Sequence, residues 1–187
     1  CRILEENGRH HFMTKRFDRT ASGEKLHMQS LGALAHYDFN MAGAYSYEQA
    51  IQMAERLELG MAAVEQLYRR ALFNIMARNQ DDHVKNIAFL MDSSGTWQLS
   101  PAFDLTFAYN PDGEFTSKHQ MSLNGKRDDF TRQDFLDTAS RFNIPASRAK
   151  TLIEEVTQGV RNWEAHAQEA GVPDARIESR RKLHRLY

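Results

Sequence analysis

The sequence predicts an α+β fold that is mainly helical. Apolar residues recur over much of the chain at the i, i+3, i+4 spacing of amphipathic helices. Only a few short apolar runs, bounded by turn-forming residues, have the length and composition of strands. With 187 residues, of which 41% are hydrophobic and 26% charged, the chain has the size and balance of a globular domain.

The first predicted element is a strand at residues 10–17, where bulky side chains partly alternate with polar ones. Turn-forming residues 18–23 end this strand. A polar connection that contains glycine then runs to Tyr45, without a regular element of its own. The N-terminal part of the chain is therefore predicted to hold one strand.

Two helices follow this connection. Ser46 and Gln49 have the spacing of a capping box, which predicts a helix from Tyr47 to about Leu57. A longer helix is predicted from Gly60 to about Asn79. Its broad apolar face is made of Met61, Val64, Leu67, Tyr68, Ala71, Leu72, Ile75 and Met76.

A polar run at residues 80–86 separates the longer helix from a predicted β-hairpin. The hairpin pairs residues 87–91 with residues 96–99, and Asp104 lies just beyond its second strand. Because a hairpin returns the chain to its starting point, we expect the polar run and Asp104 to lie close together.

The C-terminal part is predicted to be helical after an irregular stretch at residues 105–130. One helix is capped by Thr131, a long amphipathic helix runs from Ala146 to about Ala170, and a basic helix covers residues 174–187. We find no group of polar side chains in this part that is typical of a functional site.

Composition excludes several classes of protein. Lys and Arg together number 24 and Asp and Glu 25, so no overall positive field favours nucleic acid. A single cysteine, Cys1, excludes an internal disulfide. No apolar run approaches the roughly 18 residues of a membrane helix, and no signal peptide is visible. We therefore expect a cytoplasmic protein without membrane association. Because the chain opens in a strand without Met, we also expect a fragment of a longer protein.

Three oxygen-bearing side chains form the candidate site: Asp81, Asn86 and Asp104. Carboxylate and amide oxygens suit Mg²⁺ rather than Zn²⁺. Protein kinases use an Asp beside the substrate hydroxyl, an Asn five residues later on Mg²⁺, and a further Asp after a strand pair on Mg²⁺. Here Asn79-Gln80-Asp81 replaces His-Arg-Asp, and Phe103-Asp104-Leu105 lacks the glycine of Asp-Phe-Gly. The pattern therefore indicates a divergent kinase rather than a eukaryotic-type one.

Three motifs occur together in a specific order: Lys15-Arg16-Phe17-Asp18-Arg19, then Asp81-Asp82-His83-Val84-Lys85-Asn86 before Ile87-Ala88-Phe89, then Leu99-Ser100-Pro101-Ala102-Phe103-Asp104. In these motifs the chain resembles the HipA-like serine/threonine kinases of bacterial toxin–antitoxin systems. The motifs span roughly residues 10–110, and the helical remainder also fits. The resemblance implies that residues 1–187 form the C-terminal lobe of a kinase-like fold, with a small hairpin that carries the metal site.

The resemblance also implies roles for individual residues. Asp81 would be the catalytic base, and Asn86 and Asp104 would bind Mg²⁺. His83 would lie near the phosphates or ribose of ATP, and Lys85 would neutralise transferring charge. The backbone of Lys15, Arg16 and Phe17 would form the hinge that meets the adenine. The family's glycine-rich phosphate loop and ATP-binding lysine belong to an N-terminal lobe, which these residues do not supply.

The implied activity is ATP- and Mg²⁺-dependent phosphorylation of a protein serine or threonine. Some members of the family phosphorylate themselves, and an aminoacyl-tRNA synthetase is a known kind of target. The family also implies a DNA-binding antitoxin partner, so that any association with DNA would be indirect.

Other interpretations stay open at this point. Asp81 and Asp82 could be turn residues that end a helix, and Lys85 an ordinary solvated lysine. His83 could be a hydrogen-bonding loop residue, and Asp18-Arg19 a structural ion pair. The chain could instead be a catalytically incomplete, transcription-linked module that acts through a partner or binds DNA through its basic last helix, with Arg176, Arg180, Arg181, Lys182 and Arg185. A Mg²⁺ phosphohydrolase would need more carboxylates, and the scattered histidines lack zinc-ligand spacing.

Overall fold

The computed structural model describes residues 1–187 and confirms a mixed fold of helices and small sheets. Seven strands and seven helices follow one another along the chain. They are β1 (Arg2–Glu6), β2 (Arg9–Met13), β3 (His27–Ser30), α1 (Leu31–Ala35), β4 (Tyr45–Ser46), α2 (Tyr47–Arg56), α3 (Gly60–Met76), β5 (Ala88–Met91), β6 (Trp97–Leu99), β7 (Met121–Ser122), α4 (Arg132–Arg141), α5 (Ala146–Arg161), α6 (Trp163–Glu169) and α7 (Asp174–Arg181).

The N-terminal segment is a hairpin rather than a single strand. β1 and β2 pair antiparallel through a turn at Asn7 and Gly8, which both have positive φ angles of 49° and 71°. Asn-Gly with two positive φ angles is typical of a two-residue hairpin turn. The predicted strand at residues 10–17 is therefore wrong in extent, because its pairing with β1 ends at Met13. Nearly all of this hairpin is exposed to solvent.

The connection before Tyr45 contains structure that the sequence did not indicate. β3 pairs antiparallel with β5, and β5 pairs with β6, in a three-stranded sheet. The short helix α1 follows β3 directly and is capped by the Ser30 hydroxyl, which accepts from the Ala33 N–H. The predicted hairpin of residues 87–91 and 96–99 is confirmed as β5 and β6. A two-stranded parallel pair of β4 and β7 completes the sheets.

The hydrophobic core lies among α2, α3, α4 and α5, with α3 at its centre. The capping box at Ser46 is confirmed, and α2 ends within one residue of the predicted position. The apolar face of α3 is buried as predicted, except that Met61 is 45% exposed because it lies in the first turn, before the buried face begins at Ala63.

The predicted end of the long helix near Asn79 is wrong by three residues. α3 ends at Met76 because Arg78 adopts a left-handed conformation with a φ of 60°. The Asn79 N–H then donates to the Asn74 carbonyl at 2.9 Å. A left-handed residue with this six-to-one hydrogen bond is a common way to end a helix. The chain consequently leaves α3 in a new direction and enters the polar loop.

The C-terminal helices are shorter than predicted. α4 begins at the capping box of Thr131 and Asp134 as expected. The helix predicted from Ala146 to Ala170 is broken at Asn162 into α5 and α6. The last helix ends at Arg181 rather than at Tyr187. The final residues turn back to α3, where the Arg185 N–H donates to the Met76 carbonyl at 2.9 Å and the Tyr187 ring packs edge-on against Phe135.

None of these helices combines the length and the apolar composition that a membrane span requires.

Candidate active site

The polar loop at residues 79–86 is closed by hydrogen bonds across its own backbone. Asn86 donates through Nδ2 to the Asp81 carbonyl at 3.0 Å, and the Asn86 N–H donates to the His83 carbonyl at 2.9 Å. Since the amide nitrogen of Asn86 is used inside the loop, its Oδ1 is left as an acceptor without a protein donor. The loop therefore offers this oxygen to an external ligand.

The N-terminal end of α1 holds the same loop from the outside. The Gly32 N–H donates to the Val84 carbonyl at 3.1 Å, and the Leu31 N–H donates to the Ile87 carbonyl at 2.8 Å. The first N–H groups of a helix have no partner within the helix, and here they bind the loop instead. The short β3–α1 unit that the sequence did not reveal thus positions the candidate site.

Asp81 presents a free carboxylate. Its side chain is 47% exposed and accepts no hydrogen bond from the protein. His83 lies beside it, with Nε2 3.8 Å from Asp81 Oδ1, which is longer than a hydrogen bond. Nδ1 of His83 is buried without a partner, and its ring meets the Phe39 ring edge-on at 6.0 Å. The imidazole therefore lies near the carboxylate, at a distance that allows an ion pair but not a hydrogen bond.

Asp104 reaches the same region from the far end of the β5–β6 hairpin. Its carbonyl oxygen accepts from Asn79 Nδ2 at 3.4 Å, which confirms that the hairpin brings the two segments together. Asp104 has a positive φ of 55°, a conformation that Asp tolerates better than most residues. Its carboxylate is exposed and forms no hydrogen bond or ion pair with the protein.

Asp82, the neighbour of Asp81, has the opposite environment. It is 2% exposed, and its carboxylate accepts three hydrogen bonds: from the Tyr47 hydroxyl at 2.6 Å, from His119 Nδ1 at 2.8 Å and from the Gln120 N–H at 2.7 Å. Burial and the nearby Asp82 charge raise the pKa of Tyr47 well above its usual value, so that the phenol stays protonated and donates. Asp82 therefore anchors the loop, and neither aspartate caps the end of α3.

A chain of buried hydrogen bonds connects this anchor to Asp104. Asn74 Nδ2 donates to the Tyr47 hydroxyl at 2.9 Å, and Asn79 Nδ2 donates to Asn74 Oδ1 at 3.0 Å as well as to the Asp104 carbonyl. We call Tyr47, Asn74, Asn79, Asp82 and His119 the buried network. Sequence reasoning considered Asp82 only as part of a motif or as a turn residue, and it gave the other four residues no role. The partners of all five come from α2, α3 and the segment before β7. The only available signal was the polar character of Asn74 on the apolar face of α3.

Lys85 contacts an aromatic ring rather than an acidic side chain. Its Nζ lies 3.2 Å from the centroid of the Phe39 ring, which is a cation–π distance. The ammonium group is exposed and has no acidic partner. Lys85 is therefore neither paired nor buried, and the geometry leaves it free to move toward a bound anion.

The predicted hinge residues Lys15 and Arg16 differ in the contacts that their side chains make. Lys15 is exposed, whereas Arg16 donates through Nε and Nη2 to the Asp18 carboxylate, which Arg19 also contacts. The Arg16 hydrogen bond holds the pKa of the Asp18 carboxyl below its usual value. Asp18 and Arg19 are thus a structural ion pair, as one interpretation of the sequence held.

Phe17 faces the segment that leads to Asp104. Its ring centroid lies 5.6 Å from that of Phe103, and it lines a cavity of about 860 Å³ together with Pro101 and Leu105. The predicted hinge and the segment of the predicted metal ligand therefore meet through two aromatic side chains that lie tilted against each other.

The oxygen donors of the site meet the requirements of Mg²⁺ only when water and phosphate oxygens are added. No three His, Cys, Asp or Glu side chains lie close enough together to hold a metal ion by themselves. Mg²⁺ is commonly bound through one or two protein oxygens, with water and phosphate oxygens completing the shell. Asn86 Oδ1 and the Asp104 carboxylate have no protein partner and suit that use, whereas no sulfur or nitrogen ligand set for Zn²⁺ is present.

The chain is similar to several known proteins. The model of the HipA-like C-terminal domain matches residues 1–163. Two proteins of Sinorhizobium fredii (strain NBRC 101917 / NGR234), named "Putative kinase Y4dM" and "Putative kinase Y4mE", are 27% identical over 81% of the chain and 29% identical over 89% of it. The chain spans 37% and 35% of the lengths of these two relatives.

A solved structure shows the same fold. It contains HipA of Shewanella oneidensis MR-1, from a toxin–antitoxin complex of HipA, HipB and operator DNA. The TM-score is 0.67 and the sequence identity 20%, over 90% of this chain and 44% of that one. On the match to the family model over most of its length, the chain belongs to the HipA-like C-terminal domain family.

Proposed function

We propose that this chain is the C-terminal lobe of an ATP- and Mg²⁺-dependent serine/threonine protein kinase of the HipA-like toxin type. One observation carries the proposal. Asp81, Asn86 and Asp104 present side-chain oxygens that accept no hydrogen bond from the protein, and the loops that hold them are joined by the buried network. In this proposal residues 1–187 form the C-terminal lobe, and a separate N-terminal lobe supplies the phosphate loop.

Asp81 is the catalytic base in this proposal. Its exposed carboxylate accepts the proton of the substrate hydroxyl as that oxygen attacks the terminal phosphorus of ATP. The bond from this phosphorus to the bridging oxygen breaks, and ADP leaves with that oxygen. The loop geometry suits this role because Asn86 fixes the Asp81 backbone while the carboxylate itself remains free. The neighbouring Asp82 holds the loop from its buried side. Its carboxylate does not compete for the proton of the substrate hydroxyl, since it is buried and already accepts three hydrogen bonds.

Asn86 and Asp104 would hold Mg²⁺ in this proposal. When bound, the ion would supply positive charge that stabilises the negative charge developing during phosphoryl transfer. Asn86 contributes a neutral oxygen and Asp104 a carboxylate, which is a donor set of the kind that Mg²⁺ shares with nucleotide phosphates.

The remaining assignments concern the nucleotide. His83 lies beside Asp81 and is placed to donate toward a phosphate or ribose oxygen. Lys85 exchanges its contact with Phe39 for the charge of the phosphates. The backbone of Lys15, Arg16 and Phe17 meets the adenine, with Phe17 held against Phe103.

The proposed partners are a protein substrate and a DNA-binding antitoxin. The Shewanella oneidensis HipA was solved with HipB and operator DNA, which supports such a partner. Direct binding of DNA through the last helix is less well supported. Arg181 and Lys182 already pair with Glu178, and Arg185 pairs with Asp128. Contact with DNA would therefore be indirect, through the antitoxin.

Phosphoryl transfer by the full-length protein tests this proposal. Asp81→Asn is expected to lower the transfer rate roughly 10²–10⁴-fold, because it removes the base and leaves the loop's backbone hydrogen bonds in place. Asp112→Asn, at an exposed aspartate of the following loop, is a matched control that should leave the rate unchanged. Wild-type activity in Asp81→Asn would show that Asp81 is not the base.

A further inference from the structure

A cavity of about 720 Å³ lies between the segment that follows Asp104 and the last three helices. We call it the C-terminal cavity. One side is formed by Leu105, Thr106 and Phe107, and the opposite side by the end of α5, α6 and α7, with His10 of β2 at the rim. This volume is within the range of sites that bind small organic molecules. The cavity is separate from the free oxygens of Asp81 and Asn86, which do not line it.

The charges around the C-terminal cavity have one sign only. No Asp or Glu lines it, whereas two arginines and three histidines do: Arg176, Arg180, His10, His166 and His184. The cavity therefore carries the permanent positive charge of two arginines and no carboxylate. Its walls favour an anion.

The two arginines are free to bind that anion. Arg176 and Arg180 are four residues apart on α7 and therefore lie on the same face of the helix. Neither forms an ion pair, although Arg181 and Lys182 on the same helix both pair with Glu178. α7 thus carries two neutralised cations outside the cavity and two unneutralised cations facing it.

Aromatic rings complete the cavity. The Arg180 guanidinium lies 4.5 Å from the centroid of the Phe107 ring, which orients it along the wall. The Trp163 ring meets His184 edge-on at 5.8 Å, and Trp163 Nε1 donates to the Ile177 carbonyl at 3.4 Å. Burial lowers the pKa of His184, so its imidazole is neutral at pH 7. The permanent positive charge of the cavity is that of the two arginines. A ligand here meets apolar and aromatic surface beside two cations.

From this juxtaposition we propose that the C-terminal cavity is a binding site for a small organic anion, a phosphate or carboxylate group carried on an apolar, planar body. Arg176 and Arg180 bind the anionic group, and Phe107 and Trp163 contact the body. The proposal does not depend on kinase activity, because it uses none of the residues assigned to phosphoryl transfer.

Nuclear magnetic resonance of the two tryptophan indole N–H groups tests the site. Trp163 lines the C-terminal cavity and Trp97 does not, so the Trp97 signal is an internal control. A spectrum of Trp97→Phe assigns the two signals. Titration with phenyl phosphate, benzoate and inorganic phosphate is expected to shift the Trp163 signal saturably for at least one aromatic anion. Inorganic phosphate, which lacks the apolar body, should bind at least about tenfold more weakly. The stronger of phenyl phosphate and benzoate identifies the anionic group.

Two pairs of substitutions with the same change in charge make the test specific. Arg176→Gln with Arg180→Gln should weaken binding of the aromatic anion by about tenfold or more. Arg181→Gln with Lys182→Gln, on the part of α7 outside the cavity, should leave it within about twofold. Equal weakening by both pairs, or no saturable shift of the Trp163 signal with any of the three anions, would overturn the proposal.

Discussion

Asp81 and Asp82 are neighbours in the chain, yet they lie in opposite environments. The Asp82 carboxylate is buried and accepts three hydrogen bonds, whereas the Asp81 side chain is 47% exposed and accepts none. The same contrast holds for the wider site. The buried network lies on the core side of the loop. We call the free side-chain oxygens of Asp81, Asn86 and Asp104 the rim of the candidate site.

The contrast corresponds to two different functions of a polar side chain, which are to stabilise the fold and to bind a ligand or a proton. Buried polar groups need partners, and a carboxylate with three donors is rigidly fixed. A group that binds a ligand or accepts a proton must instead keep its lone pairs available. The fold therefore places its hydrogen-bond donors beneath the loop and leaves the rim without them. Substitutions beneath the loop should change stability, and substitutions at the rim should change activity.

The largest effect on stability is expected from Asp82→Ala. It leaves the Tyr47 hydroxyl, His119 Nδ1 and the Gln120 N–H buried without their acceptor, so the free energy of unfolding should fall by about 3–5 kcal/mol. Urea denaturation measures the change. Should the variant fail to fold, Tyr47→Phe provides a milder test, with an expected loss of about 1–2 kcal/mol. A loss under about 0.5 kcal/mol in both would contradict the anchoring role of Asp82.

A smaller effect is expected at Asp134, a buried carboxylate far from the site in sequence. Burial opposes its ionisation, but hydrogen bonds from Lys126, Thr131 and Asn124 outweigh burial and hold the pKa of Asp134 well below its ordinary value. Asp134→Asn should lower the free energy of unfolding at pH 7 by about 2–3 kcal/mol. The variant shows whether a buried carboxylate that accepts several hydrogen bonds stabilises the fold even where it has no contact with the candidate site.

The pH dependence follows from the same group. Because the pKa of Asp134 is lower in the folded protein than in the unfolded chain, where it is about 3.9, the unfolded chain binds more protons in acid. Stability is therefore complete above about pH 5 and decreases as the pH falls through about 4 toward the folded-state pKa. The decrease should be shallower in Asp134→Asn, as measured by urea denaturation across this range. An unchanged acid profile would show that Asp134 is not the responsible group.

The smallest effect is expected from Asp81→Asn. The Asp81 carboxylate has no hydrogen-bond partner to lose, so the free energy of unfolding should stay within about 0.5 kcal/mol of that of the wild type. Thermal or urea unfolding of the isolated chain measures this. A loss comparable to that of Asp82→Ala would remove the distinction between the rim and the buried network.

The sequence was informative where local chemistry determines structure. The capping residues Ser46 and Thr131 start helices at the predicted positions, and the β5–β6 hairpin was visible in its apolar strand and its turn. The types and spacing of Asp81, Asn86 and Asp104 predicted a site, and their roles in it stay a prediction. In each case the relevant partners lie within a few residues or are repeated at a fixed interval.

Sequence reasoning failed where structure depends on distant partners. β3 has a polar sequence and forms only because β5 pairs with it, and Asp82 finds its donors 35 to 38 residues away. The break at Asn162 is invisible because the helical pattern continues on both sides of it. The Asn7-Gly8 turn is the exception, because an Asn-Gly pair is itself a local signal for a hairpin and depends on no distant partner.

The central claim is that the rim binds Mg²⁺ together with a nucleotide, and one measurement tests it directly. Calorimetric titration of the full-length protein with a non-hydrolysable ATP analogue, with and without Mg²⁺, should show binding that requires the ion. Asp104→Asn should abolish this Mg²⁺ dependence, and Asp112→Asn should preserve it. Mg²⁺-dependent binding that is unchanged in Asp104→Asn would contradict the account.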